Sequence, residues 1–139
     1  NCIASQYVQG DWTHILLSGG GNDFLESQCR INVDRLISPD LSAGLTVDLI
    51  GQLRSTGPEI ILVRCVEPLD PDGEGGGCRP IETLMDRYRD FSAQNSGVSL
   101  VDTRDVFGRN EPILYSDDVQ TSVEGNRRLA EHIADHLDL

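Results

Sequence analysis

Thr13-His14-Ile15-Leu16-Leu17-Ser18-Gly19-Gly20-Gly21-Asn22-Asp23-Phe24 is the stretch on which the fold turns. Ile15, Leu16 and Leu17 make a short unbroken apolar run, the pattern of a parallel strand covered on both faces. The glycines that follow let the backbone turn sharply and leave N–H groups uncovered. Asn22 then falls at the carboxyl end of the strand, where open α/β sheets bind their ligands, and a helical pattern begins.

Upstream, residues 1–11 carry no strong period, and Gly10-Asp11 is a turn signal before a strand over about 12–18. Downstream, Phe24, Leu25, Cys29, Val33, Leu36 and Ile37 recur at helical spacing until Ser38-Pro39-Asp40. A second helix is expected over about 43–55 with Leu45, Leu49 and Leu53 inward, although Gly44 and Gly51 weaken it by ~1 kcal/mol each relative to alanine. Residues 59–66 are β-branched and nearly all apolar, as a central parallel strand requires. Pro80 opens a third helix whose stripe is Ile81, Leu84, Met85, Tyr88 and Phe91. Residues 98–102 give the next strand, 107–115 a loop, and the last helix has a capping box in Thr121 and Glu124 with Asn126, Ala130, Ile133 and Leu137 inward. Strand, helices, strand, helix, strand, helix predicts one α/β domain over 1–139 with a three-layer parallel sheet.

Composition narrows the function. Of 139 residues, 23 are acidic and 11 basic, all 11 of them arginine, for a net charge of −12. Such a surface repels phosphate backbones, so nucleic acid is not an expected partner, and solubility is the plain meaning of the charge. No run approaches the ~20 apolar residues of a membrane-spanning helix. Cys2, Cys29, Cys65 and Cys78 lack C-x-x-C spacing, which disfavours zinc and thioredoxin-type chemistry and suits disulfides in an exported protein. Their pairing stays open.

A second motif lies near the far end, where Tyr115-Ser116-Asp117-Asp118-Val119-Gln120-Thr121-Ser122-Val123-Glu124-Gly125 leads into the last helix. The two ends together resemble the SGNH (GDSL-type) esterase and lipase family. Gly20-Gly21-Asn22-Asp23 is similar to its third signature block, whose asparagine amide donates to the oxyanion, and Asn22 matches that position. The second motif resembles its fifth block, Asp-x-x-His followed by small residues, glycine and a terminal helix. Asp117 matches the aspartate and Gly125 the glycine, while Gln120 stands where the catalytic histidine belongs. The first block, Gly-Asp-Ser with the serine nucleophile, has no counterpart here. The resemblance implies a flavodoxin-like SGNH-hydrolase fold of which this chain carries three of five strands. It also implies that the 12–18 strand has an open edge, to be filled by an N-terminal segment of the same protein or by another copy.

Ester hydrolysis by such a site needs a serine, a histidine base oriented by an aspartate, and oxyanion donors. Asn22, with the turn at Gly20 and Gly21, would supply a donor, or Asn22 simply caps the helix. Asp117 would supply the orienting carboxylate, or with Asp118 simply begins a turn. Gln120 has no nitrogen that titrates near neutral pH, so it hydrogen-bonds but accepts no proton from a nucleophile. Among other candidates, His14 reads as a core or edge residue. His132 and His136 lie four apart on a helix without a third ligand, so no metal is expected. Asp70-x-Asp72-x-Glu74-Gly75 begins like a calcium loop but has Ile81 at the twelfth position. The expectation is an exported, cofactor-free domain with a degenerate site that binds a small ester or glycan or serves in assembly. The alternative is a carboxylic-ester or carbohydrate-ester hydrolase whose serine comes from an N-terminal segment.

Overall fold

The computed structural model describes residues 6–18, 30–66, 79–108, 111–117 and 120–138. Strands β1 (His14–Ser18), β2 (Glu59–Val63) and β3 (Val98–Val101) form one sheet in the order β1-β2-β3. The α-helices are α1 (Leu45–Arg54), α2 (Arg79–Gln94), α3 (Arg104–Phe107) and α4 (Val123–His136) among the described residues. β1 and β2 run parallel, with His14 opposite Glu59 and Ser18 opposite Val63. Between β2 and β3, the Ile60 N–H donates to the Gly97 carbonyl at 2.9 Å and the Arg64 N–H to the Val101 carbonyl at 3.0 Å. Both chains advance in the same direction between these bonds, as a parallel pair does. The mixed α/β class with a parallel sheet is therefore as the sequence predicted, with strands a few residues shorter than 12–18, 59–66 and 98–102.

The chain clusters into two compact units, one drawn from 1–63 and 79–100, the other from 64–78 and 101–139. In the first, β2 is the centre: Ile60, Ile61, Leu62 and Val63 are all buried, and because successive side chains alternate, both faces of this strand are covered. β1 departs from expectation. Leu17 is buried, but Leu16 is 49% exposed although Ile61 directly opposite it is 1% exposed, so the cover on that face ends between the two strands. Among the described residues β1 pairs on one side only, with β2. His14 lies at its amino end, Nε2 3.7 Å from the Glu59 carboxylate, and is an edge residue.

Helix positions shift for identifiable reasons. The inward face of α1 is Thr46, Ile50 and Leu53, whereas Leu45 is 60% exposed, a rotation from the predicted leucine stripe. The cause is partly polar, since Thr46 Oγ1 and the Tyr88 hydroxyl of α2 share a buried hydrogen bond of 3.0 Å. Gly44 sits just outside this helix at φ 125°, where a Cβ would lie 2.5 Å from the Leu36 carbonyl oxygen. Of the helix expected over Phe24–Ile37, residues 24–29 lie outside the described residues, and the remainder holds only a single 3-10 turn, Val33–Arg35. Asn32 breaks the run: its backbone is extended, and its Oδ1 accepts the Asp34 N–H at 3.0 Å, which starts a new turn. Val33 and Ile37 stay buried. Arg87 of α2 anchors the segment by donating to Asp34 Oδ1 at 2.7 Å and to the Ile37 carbonyl at 2.5 Å. Leu84, Met85, Tyr88 and Phe91 bury the expected face of α2, with Ile81 only partly covered.

The second unit has its own small core. Phe107, Leu114 and Tyr115 are buried with Val66, Val106 and Leu129 packed against them. The Phe107 and Tyr115 rings meet edge to face at 5.7 Å. The stretch expected to be a loop therefore supplies the core, through Phe107 at the end of α3 and a 3-10 turn over Pro112–Leu114. On α4, Asn126 and Ala130 of the predicted stripe are exposed, and Gly125 and Leu129 face inward instead.

Candidate functional site

The best-defined candidate is the turn from Tyr115 to Ser122, in the second unit. Tyr115 and Thr121 form an isolated antiparallel bridge, and the Ser116 N–H donates to the Gln120 carbonyl at 2.9 Å. Inside this loop the Asp117 carboxylate accepts the Gln120 N–H at 2.6 Å, so residue 120 is held through its backbone. Asp117 and Gln120 are both exposed.

The junction with α4 is fixed more tightly. Ser122 has extended backbone and is the helix cap, its Oγ accepting the Gly125 N–H at 3.1 Å and donating to the Ile113 carbonyl at 2.6 Å. The cap is thus Ser122, one residue beyond the Thr121 read from the sequence, and with Gly125 at the third helical position the expected capping box does not form. Thr121 Oγ1 bonds Asn126 Oδ1 at 2.7 Å instead. The Ser122 N–H donates to the Leu114 carbonyl at 2.8 Å. That carbonyl presses against α4, where a Cβ on Gly125 would lie 2.2 Å from its oxygen. Glycine at 125 is required by this approach. Glu124 in the first turn is held down to about 2 by hydrogen bonds from the Arg127 and then the Arg128 guanidinium. These groups lie on the exposed side of the helix, with Arg127 also reaching Glu131 and Arg128 reaching Glu111.

Chemically, the turn presents a carboxylate and a primary amide. The amide of Gln120 donates and accepts hydrogen bonds but has no base for moving a proton at neutral pH. Without a general base, loss on the order of 10² to 10⁴ in rate is expected for any chemistry that needs one.

The carboxyl end of β2 and β3 holds a second polar group, to which no pattern in the sequence drew a role. Arg64 follows β2 and is 4% exposed, with Nε 3.8 Å from Asp102 Oδ1 just beyond β3. Arg104 grips the same carboxylate, Nη2 to Oδ2 at 2.5 Å and Nε to both oxygens at 3.0 Å. The Arg104 hydrogen bonds hold the Asp102 carboxyl below the usual carboxylate range. Thr103, fully buried, donates through Oγ1 to the Cys65 carbonyl at 3.2 Å. The signal in the sequence was a single arginine closing an apolar strand, in Ile61-Leu62-Val63-Arg64.

Gly20, Gly21, Asn22 and Asp118 lie outside the described residues, as do Cys2, Cys29, Cys78 and the acidic stretch from Asp70 to Gly75. The resemblance implies that Asn22 and Gln120 share one site at the carboxyl ends of the strands, and that expectation therefore lies outside the described residues too. Cys65 is the one described cysteine, and no disulfide is seen among the described residues. His132 Nε2 stands 3.6 Å from Asp105 Oδ2 across α4 and α3, and His136 is exposed. Among the described residues no group of three His, Cys, Asp or Glu side chains is placed to hold a metal, and no helix is long and apolar enough to cross a membrane.

No family model, curated protein or solved structure matches the chain.

Proposed function

We propose that this chain is an SGNH-hydrolase-like domain with a degenerate active site, whose role is to bind a small ester or glycan or to serve as a structural, assembling subunit, without catalysing hydrolysis. On this reading the parallel sheet is part of a flavodoxin-like three-layer fold, and the turn before α4 is the remnant of the site. The observation that carries it is the Asp117–Gln120 turn. Its carboxylate accepts the Gln120 N–H at 2.6 Å, Ser122 and Gly125 lock it to the helix, and the residue presented is an amide where an imidazole would be needed. The exposed Leu16 on a strand paired on one side among the described residues supports the assembly part of the proposal. An exported location fits the cysteine count.

The test is hydrolysis of p-nitrophenyl acetate by the chain as it is, beside Asp117→Asn and Gln120→Ala. All three are expected at the buffer background. Saturable turnover that either substitution abolishes would overturn the proposal and make the protein an esterase. Binding is read separately, by NMR shifts of the Gln120 side-chain amide during titration with acetylated sugars and short esters. Assembly is read by light scattering of Leu16→Lys beside the parent chain. No ligand shift together with a monomer at every concentration would refute both proposed roles.

A further inference from the structure

We draw no further inference here: the strongest candidate, the polar cleft of about 340 Å³ lined by Asp105 of α3, by Glu111 before the Pro112–Leu114 turn and by Arg128, Glu131, His132 and Asp135 of α4, is a cluster of acidic residues in which Asp105, Glu111 and Glu131 already face His132, Arg128 and Arg127, and no second observation points to a ligand.

Discussion

Gly125→Ala separates a glycine kept for space from one kept for nothing. Inside a helix, alanine gains roughly 0.5–1 kcal/mol over glycine through the smaller loss of backbone freedom. At 125 that gain meets a carbonyl: the new Cβ would lie 2.2 Å from the Leu114 oxygen and 3.1 Å from Phe107 Cε1, and real contacts need more than 3.0 Å. Either α4 or the Pro112–Leu114 turn must move. The Leu114 carbonyl is not free to yield, because it accepts the Ser122 N–H at 2.8 Å in the bond that ties the helix cap to the Pro112–Leu114 turn. Overpacking costs about 1–3 kcal/mol, and weakening that bond adds about 0.5–1.5 kcal/mol. Set against the propensity gain, the net expectation is a destabilisation of about 2 kcal/mol. Gly51, in the exposed middle of α1, has open space where a Cβ would point, with no atom within 4 Å, so Gly51→Ala should stabilise by about 0.5–1 kcal/mol. Urea unfolding followed by far-ultraviolet circular dichroism compares the two, with the midpoint moving in opposite directions and the slope unchanged. A Gly125→Ala midpoint at or above that of the parent chain would refute the close approach of Leu114 to α4.

Substitutions at three further positions probe other parts of the frame. Ser122→Ala removes both the cap on α4 and the bond to the Ile113 carbonyl, and is expected to cost about 1–2 kcal/mol in the same denaturation assay. Thr46→Val removes one side of the buried bond to Tyr88 and is expected to cost about 1 kcal/mol, with Thr46→Ser recovering most of the polar part. Glu124→Gln should matter only where the carboxylate is charged. Folding lowers its pKa from 4.5 to about 2, so its contribution is fully present above about 4.5 and is lost as pH falls towards about 2. The midpoint difference between parent and Glu124→Gln should therefore shrink over that interval and diminish with added salt, since the pair is exposed. A difference independent of pH would show that the arginine contacts add nothing specific to the carboxylate.

The sheet was legible because β2 is buried on both faces, and such a strand has to be written as an uninterrupted apolar run, Ile60 to Val63. The same rule misled at β1, where Ile15-Leu16-Leu17 is equally apolar but Leu16 is half exposed. Apolar continuity reports what a side chain tolerates, and cover depends on which elements lie opposite. Helix faces were less legible for a related reason. Leu45 outranks Thr46 on any hydropathy scale, yet Thr46 is the buried one because the Tyr88 hydroxyl, 42 positions away, offers it a partner. The second core was missed outright. Phe107, Leu114 and Tyr115 lie in a stretch with Pro112 and no helical or strand period, and only their meeting in space makes them a cluster.

The candidate site divides along the same line. Gly125 could be singled out from the motif, and its necessity follows from the Leu114 carbonyl that fills the place of a Cβ. The identity of residue 120 follows from nothing in the scaffold. Its N–H donates to Asp117 and its carbonyl accepts from Ser116, so the turn is closed through backbone atoms that every residue but proline possesses. The side chain itself is exposed and bonded to nothing among the described residues. A loop built in this way holds its shape whatever amide, imidazole or alkyl group position 120 presents. Chemistry at this position is thereby separable from stability: an imidazole could be exchanged for an amide with an effect on folding expected within about 0.5 kcal/mol, as for surface substitutions generally. Selection for the fold would preserve Ser122 and Gly125 through such an exchange. It would leave the turn standing whatever side chain position 120 presents.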